Sequence, residues 1–434
     1  MCTAELKKEE KPIKRKMIRK LEYHIISYII FALHVKLFMH TVFYTEWVWD
    51  IFHIYFCTII VYTNILLIYG IRIYFGLKKL NLKYFPIENI PSCKNYKNKK
   101  NIHPYAAFER LDLIHMKFLN LLYGIIFVAT WRIASIFLLS MLNLIVSLLI
   151  YPFLKGKGDN LESPILFLYL KFLKLVCRLA IWLFGVNKIE NNYLCDNEWP
   201  KNIVSNHISA VDPLFFISEH ACSFVAKKSL SKDRLVGPSV LALKCVLVYR
   251  EKSEDRKIAL ESIKERQLLI NAKQNNYPSF VIFSEGTTSN GLQIIEQKKG
   301  AFNSLLPITP VLLIYDYDFY NPSYDIIPFT WWTFLSSANY DGSTLRTYWL
   351  PKVYPPDKAQ YPDLTDEERI NIFHDEVSKI MFNHMKKYNP RAPKDVDDYN
   401  DWPGSLRFKL EYFQNALGKV ATKHLNKEKN LSEK

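Results

Sequence analysis

The chain has 434 residues, a formal net charge of +15 and 49% apolar residues, and 15% of its residues are aromatic. This length accommodates one large catalytic domain with appended segments. An excess of Lys and Arg over Asp and Glu indicates nucleic acid, an anionic membrane surface or phosphorylated substrates as partners. Long apolar segments bordered by Lys and Arg favour the membrane, and nucleic acid is not expected because no zinc-finger or RNA-binding signature occurs. The seven cysteines, with no Cys-x-x-Cys pair, argue against a disulfide framework or a structural zinc site.

The chain begins with a basic segment and two apolar stretches. Residues 1–22 predict a cytosolic basic flank, since the apolar material that follows is too long and too aromatic for a signal peptide. Residues 23–76 predict a transmembrane hairpin: residues 51–75 provide the roughly 20 apolar positions that a crossing needs, and residues 23–45 are marginal. If both cross, residues 1–22 and the basic linker 77–117 share the cytosolic side, as the positive-inside rule requires. The alternative is an interfacial helix over residues 23–45.

Residues 118–186 predict helices embedded in the membrane. The apolar run 118–154 predicts two shorter helices bent near Arg132, because a buried Arg at mid-membrane is costly. Residues 165–186 predict an amphipathic helix at the bilayer surface, and the alternative is a soluble core helix with a solvated basic stripe. Three cations lie on one face of that helix: Lys171, Lys174 and Arg178.

An α/β pattern begins at about residue 187. Short apolar runs with the character of strands alternate there with helical patterns. The predicted strands are 202–205, 223–226, 245–249, 279–284 and 309–315, and the predicted helices are 230–243, 253–272 and 366–388. The alternation predicts an α/β domain, a mixed sheet flanked by helices, over residues 187–390. Residues 391–434 predict a C-terminal helix and a polar tail.

The segment 206–212 (Asn-His-Ile-Ser-Ala-Val-Asp) carries a histidine and a carboxylate. On a regular helix, His207 and Asp212 would point about 140° apart. Pro213 is favoured at the first helical position, so Asp212 is predicted as the N-cap, after a turn that can fold its carboxylate onto the imidazole. That contact would fix the tautomer and leave the other ring nitrogen to accept a proton. The alternative, which this segment alone favours, is a helix cap and an unrelated turn histidine.

A second polar segment ends the apolar run 280–283. Glu285 and Gly286 follow this predicted strand, and the ends of strands are where α/β proteins place their chemistry. A glycine there allows a backbone N–H to approach a ligand closely. Thr287 adds a hydroxyl. Taken alone, such a segment is most often a simple turn.

In order and flanking pattern, these two segments resemble the first and third sequence blocks of the glycerophospholipid acyltransferase superfamily. Residues 246–250 (Val-Leu-Val-Tyr-Arg) are similar to the second block, and residues 306–311 (Leu-Pro-Ile-Thr-Pro-Val) to the fourth. Residues 349–355 resemble the region after the fourth block in eukaryotic lysophosphatidylcholine and lysophosphatidylethanolamine acyltransferases. Two residues differ from the family pattern and weaken the assignment to a particular subfamily. Ser284 stands where the family usually has Pro, and Tyr249 stands where many members have Asp.

The resemblance implies an α/β acyltransferase domain preceded by membrane-embedded helices, and it implies roles for its residues. His207, oriented by Asp212, would be the general base that activates a glycerol hydroxyl toward an acyl-CoA thioester. Pro310 would shape the acyl-donor groove, and Arg250 would bind the substrate phosphate. Four further residues would bind the substrate: Glu285, Gly286, Thr287 and Lys299. Acyl-CoA would be a co-substrate, and no cofactor or metal is expected. The expected partners are membrane lipids, acyl-CoA and a lysophospholipid acceptor.

The implied activity is acyl-CoA-dependent lysophospholipid acylation in phospholipid synthesis or remodelling. The implied location is the endoplasmic reticulum or another endomembrane, with the catalytic domain facing the cytosol. Glycerol-3-phosphate or lysophosphatidic acid acylation and CoA-independent transacylation are alternatives that use the same His207 and Asp212. A non-catalytic membrane scaffold is a further alternative, which the intact site residues argue against. A serine hydrolase is disfavoured because no Gly-x-Ser-x-Gly segment occurs.

Overall fold

The computed structural model describes ten stretches of the chain. The described residues are 46–79, 105–154, 164–194, 200–233, 236–248, 253–272, 278–324, 327–402, 404–405 and 409. The predictions for residues 1–45, for most of the basic linker, for Arg250 and for the polar tail therefore lie outside the described residues.

Long apolar helices precede the sheet. Helix α1 is Glu46–Lys79. Helix α2 (Phe118–Gly124) continues through a π-helical turn into α3 (Thr130–Leu154). Two described segments, Cys57–Lys78 and Phe118–Phe153, are long and apolar enough to cross a membrane. Only 17% and 11% of their most apolar windows are buried within the protein, unlike the core helix of a soluble protein.

The helix around Arg132 differs from its prediction. We expected two short helices bent at this residue, but the chain remains helical from Phe118 to Leu154, and the only irregularity described there is the π-helical turn Ile125–Ala129. Arg132 is buried, and its guanidinium donates to the carbonyl oxygens of Ser337 (3.3 Å) and Asn339 (2.9 Å). Because protein acceptors satisfy this cation, the helix has no need to break at it.

Helix α4 (Pro164–Leu183) corresponds to the predicted amphipathic helix. One face is buried through residues such as Leu173, Cys177 and Ile181. Large apolar side chains are exposed on the rest of the helix: Phe167, Leu168, Leu175, Leu179 and Trp182. Exposed apolar residues beside cations suit a bilayer surface better than they suit a solvated basic stripe.

A mixed seven-stranded sheet forms the centre of the domain, in the order β1-β7-β6-β2-β5-β3-β4. The strands are β1 (Val186–Tyr193), β2 (Asn202–Ser205), β3 (Ser223–Lys227), β4 (Val246–Val248), β5 (Phe280–Phe283), β6 (Thr309–Tyr317) and β7 (Ser343–Trp349). Strands β2 to β6 are mutually parallel, and β7 runs antiparallel to β6 and parallel to β1. The predicted α/β class and mixed sheet are confirmed, and all five predicted strands are present.

Helices cover both faces of the sheet. They are α5 (Val211–His220), α6 (Gly237–Ala242), α7 (Ser253–Asn271), α8 (Phe329–Ala338) and α9 (Asp366–Tyr388). Side chains of β2 alternate between two cores: Ile203 packs in the core that includes α4, α5 and α8, and Val204 in the core that includes α7 and α9. The predicted helix 230–243 is shorter, because a 3-10 turn (Lys228–Lys232) precedes α6 and its Pro238.

Candidate active site

The two polar segments meet because their strands are neighbours. Strands β2 and β5 are parallel, and their last residues, Ser205 and Phe283, are paired in the sheet. His207 and Glu285 each follow two residues later. The backbone N–H of His207 donates to Glu285 Oε2 at 2.8 Å. The site therefore lies at the carboxyl edge of the parallel strands, where α/β folds bind ligands.

The imidazole of His207 contacts the carboxylate of Asp212, as the turn predicted. His207 Nδ1 lies 2.8 Å from Asp212 Oδ2. The position of Asp212 differs from the prediction, because Ala210 is the N-cap and Asp212 is the second residue of α5. From there its Oδ2 accepts the backbone N–H groups of Ile208 (2.6 Å) and Ser209 (2.8 Å), so the carboxylate holds the turn that presents the histidine.

A tyrosine completes the surroundings of this carboxylate. The hydroxyl of Tyr315, on β6, donates to Asp212 Oδ1 at 2.6 Å. Asp212 is fully buried, and four donors converge on its two oxygens. A carboxylate can only accept hydrogen bonds, so Nδ1 of a neutral His207 must carry the hydrogen that it donates to Asp212. In this tautomer, Nε2 has a lone pair.

His207 is the solvent-exposed residue of the pair. Its side chain is 21% exposed, and among the described residues its Nε2 has no hydrogen-bond partner. The ring stacks on Phe283, with 4.2 Å between centroids, so it is held in one plane. The arrangement can accept a proton from a hydroxyl that approaches Nε2.

Glu285 faces the protein interior. It is 2% exposed, and its second oxygen, Oε1, accepts the backbone N–H of Ile295 at 3.1 Å. Burial, the largest cause, raises the pKa of this carboxyl to about 8 against the opposing effect of the two N–H donors. Both oxygens bind backbone groups, so Glu285 joins the two turns, and its predicted contact with the substrate stays a prediction.

Gly286 is required by the shape of its turn. Its φ is +66°, and a Cβ at this position would lie 2.5 Å from Lys298 Nζ. Its N–H donates to the carbonyl of Phe283 at 3.0 Å in this structure, and its predicted contact with a ligand stays a prediction. The hydroxyl of Thr287 is nearly buried and has no partner among the described residues.

Two further predicted site residues lie elsewhere. Lys299 points to α9, where its Nζ donates to Asn371 Oδ1 at 2.6 Å. Pro310 is buried in β6 and is paired with Val204 in the middle of the sheet, so it does not line an open groove. These contacts give no support to the sequence-based assignments of Lys299 to the substrate and of Pro310 to the acyl-donor groove, which stay predictions. The side chain of Arg250 is outside the described residues.

Asn206 is a positioning residue that sequence reasoning missed. Its amide bonds both backbone groups of Leu313 on β6: Nδ2 donates to the carbonyl at 3.0 Å, and Oδ1 accepts the N–H at 2.8 Å. The side chain thus extends the pairing of β2 with β6 by one residue and fixes the start of the His207 turn. The signal available in the sequence was an amide immediately after an apolar strand.

Residues 105–112, predicted as linker, pack behind the site. The side-chain amide of Asn290 donates to the carbonyl of Ala106 at 2.7 Å. Arg110 is buried, and its guanidinium bonds Asp112 and the carbonyl oxygens of Asn321 (2.9 Å) and Ser323 (3.1 Å). Apart from the neighbouring Asp112, no local pattern indicates these contacts, because the other partners are more than 180 residues apart.

One family model matches the part of the chain that holds this site. The family model described as Acyltransferase matches residues 197–314. The matched region is similar to the domain that this family shares, and it makes up about a quarter of the chain. It contains His207, Asp212, Glu285 and Gly286, whereas residues 105–112, which pack behind it, lie outside the match.

Two relatives illustrate the extent of the likeness. The lysophospholipid acyltransferase LPEAT1 of Arabidopsis thaliana is 40% identical over 131 residues, which cover 30% of this chain and 33% of that protein. The lysophosphatidylcholine acyltransferase of Drosophila melanogaster is 28% identical over 189 residues, covering 42% and 33%. The chain spans about a third of the length of both relatives.

Among solved structures, the 1-acyl-sn-glycerophosphate acyltransferase PlsC from Thermotoga maritima matches with a TM-score of 0.36 and 18% identity. The match covers 61% of this chain and all of that one.

Proposed function

We propose that this protein is a membrane-bound, acyl-CoA-dependent acyltransferase that esterifies a free glycerol hydroxyl of a lysophospholipid. The observation that carries the proposal is the exposed Nε2 of His207, paired through Nδ1 with Asp212, inside an acyltransferase domain. The names of the relatives, which are lysophospholipid and lysophosphatidylcholine acyltransferases, support the choice of acceptor class.

In the proposed mechanism, Nε2 of His207 removes the proton from the acceptor hydroxyl as that oxygen attacks the thioester carbonyl. The tetrahedral intermediate then collapses and expels the CoA thiolate, which takes the proton from the imidazolium. Asp212 keeps the ring in the required tautomer and stabilises the imidazolium. The acyl group passes directly to the acceptor, so no acyl-enzyme is formed.

Charge on the thioester oxygen requires a donor in the transition state. The N–H of Gly286 is engaged with Phe283, so the unpartnered hydroxyl of Thr287 is the better candidate in this turn. Binding of the acceptor phosphate by Arg250 remains a prediction, on the ground that a guanidinium matches phosphate oxygens.

The apolar helices support membrane attachment of the proposed enzyme. The two candidate spans and the exposed apolar side chains of α4 would hold the domain at the bilayer, where lysolipid and acyl chains are concentrated. We propose an endomembrane such as the endoplasmic reticulum, with the domain facing the cytosol, where acyl-CoA would be available.

The proposal is tested by acyl transfer from labelled oleoyl-CoA to a panel of lysophospholipids, lysophosphatidic acid and glycerol-3-phosphate. Membranes with wild type are compared with His207→Ala and with His115→Ala, which removes an exposed histidine outside the domain. We expect His207→Ala to lose about 10²- to 10⁴-fold and His115→Ala to retain full rate.

Each other outcome names a different function. Transfer to glycerol-3-phosphate or lysophosphatidic acid alone would replace the acceptor class. Transfer from labelled phospholipid without acyl-CoA would indicate a transacylase. Equal rates above background for wild type and His207→Ala would exclude His207 as the base, and no transfer above background by either would favour the scaffold interpretation.

A further inference from the structure

The two oxygens of Asp212 face different partners. Oδ2 is shared by His207 and two backbone N–H groups, whereas Oδ1 accepts a single described donor, the hydroxyl of Tyr315, at 2.6 Å. Tyr315 is 5% exposed and Asp212 is 0% exposed, so this hydrogen bond is shielded from water. A hydrogen bond to a charged group is strong in such surroundings.

Tyr315 acts as a donor and does not share its proton. Burial, with the charge of Asp212 as the second cause, raises the pKa of the Tyr315 hydroxyl well above its ordinary value. The proton therefore stays on the tyrosine, and its hydroxyl withdraws part of the carboxylate charge that His207 would otherwise face.

We propose that Tyr315 is a positioning residue that sets the basicity of His207 through Asp212. The inference rests on the proposed function, in which His207 is the general base. The hydroxyl competes with the imidazole for the negative charge of one carboxylate. A weaker donor at Oδ1 leaves more charge on Oδ2, which stabilises the imidazolium and makes His207 a base that is protonated at higher pH.

The other charged groups near the pair are separate from this hydrogen bond. Glu285, after β5, accepts the backbone N–H of His207 and interacts electrostatically with Asp212. Lys409 lies near Glu285 and donates to Thr288. Replacing Tyr315 by phenylalanine removes one oxygen from β6 and leaves these groups in place, so a change in pH dependence is attributable to the lost donor.

The first test compares the pH dependence of kcat for wild type, Tyr315→Phe and the control Tyr320→Phe. Tyr320 is equally buried, and its hydroxyl contacts Ser336 at 3.4 Å and not Asp212. We expect the acid limb of Tyr315→Phe to move to higher pH by about 0.5 to 1 unit, with the KM for acceptor unchanged. Tyr320→Phe should keep the wild-type midpoint.

A merely structural role gives a different result. If Tyr315 only fills space, Tyr315→Phe would lower the rate by the same factor at every pH, and the proposal would be overturned. Incorporation of 3-fluorotyrosine at position 315 covers the case in which the phenylalanine variant does not fold. This tyrosine is a stronger donor, so we expect the acid limb to move to lower pH, and a midpoint that stays at the wild-type value would refute the proposal.

A second readout separates this inference from the proposed function. The rate at which diethyl pyrocarbonate modifies His207, followed by peptide mass spectrometry against pH, reports protonation of the imidazole whether or not any offered substrate reacts. We expect the modification midpoint to shift upward in Tyr315→Phe. Absence of acyl transfer with this shift present would refute the function alone, and transfer with no shift would refute the role of Tyr315 alone.

Discussion

The turns that follow β2 and β5 end at the same edge of the sheet, and they use their ionisable side chains in opposite ways. His207 turns its Nε2 outward, with 21% of the side chain exposed. Glu285 turns inward, is 2% exposed, and bonds two backbone N–H groups. The comparison indicates that proximity to a strand end does not by itself set the orientation of an ionisable group, because one turn presents an imidazole to solvent and the other holds that turn in shape.

The strongest test of the outward-facing turn is Asp212→Asn. The amide keeps the shape of the side chain and loses the charge that fixes the tautomer of His207 and stabilises its imidazolium. We expect acyl transfer to fall by about 10²- to 10⁴-fold with the KM for acceptor nearly unchanged. Steady-state kinetics in membranes measures both, and wild-type kcat in this variant would remove Asp212 from the mechanism.

The inward-facing turn is tested by Glu285→Ala, which leaves the N–H groups of His207 and Ile295 buried without an acceptor. Each unpaired group costs about 1–3 kcal/mol, so we expect the free energy of unfolding to fall by roughly 2–6 kcal/mol. Thermal unfolding of the purified protein measures the loss. If stability is retained while activity disappears, Glu285 contacts the substrate directly and the comparison with His207 fails.

Glu285 also predicts how stability depends on pH. Its pKa is raised from 4.5 to about 8 in the folded protein, so between these values the folded state binds more protons than the unfolded state. The stabilising contribution is therefore complete below about pH 4.5 and is lost as the pH rises through 8. We expect the Tm of wild type to decrease over this range, and the decrease to be smaller in Glu285→Gln, which has no charge to gain.

A smaller effect is expected for Gly286→Ala. The substitution forces a side chain into a backbone with φ of +66° and toward the amine of Lys298. We expect a destabilisation of about 1–2 kcal/mol and a modest loss of activity, since the turn shifts without losing a reacting group. Urea denaturation provides the measurement, and an unchanged midpoint would show that the turn tolerates a side chain.

The smallest effect is expected for Lys299→Ala. The amine of this side chain donates to Asn371 on α9. We expect kcat/KM to stay within about twofold of wild type, as for other surface substitutions. A loss above tenfold in the acyl-transfer assay would support the sequence-based assignment of Lys299 to substrate binding.

Strands with continuous apolar runs could be predicted from sequence, and polar strands could not. Residues 280–283 (Phe-Val-Ile-Phe) are buried on both faces, so their sequence alone indicates a strand. Strand β1 reads Val-Asn-Lys-Ile-Glu-Asn-Asn-Tyr, and it is held partly by side chains, because Thr347 Oγ1 on β7 donates to Asn191 at 2.8 Å. Such pairing depends on a strand about 150 residues away and has no local signature.

The same limit applies to the site. The contact of His207 with Asp212 follows from a five-residue turn, and it could be predicted. The donation by Tyr315 and the support by Arg110 depend on segments brought together by the whole sheet. The direction of Glu285 could not be predicted either, since the N–H of Ile295 that turns it inward belongs to an irregular loop.

Arg132 connects an apolar helix to the sheet. Its guanidinium joins α3 to Asn187 on β1 and to the carbonyl oxygens at the end of α8. Separating these elements would leave a buried cation without its acceptors, so we expect α3 and the sheet to move together. In the proposed membrane setting, a change in bilayer thickness that tilts α3 would then also change the depth of His207 relative to the membrane surface.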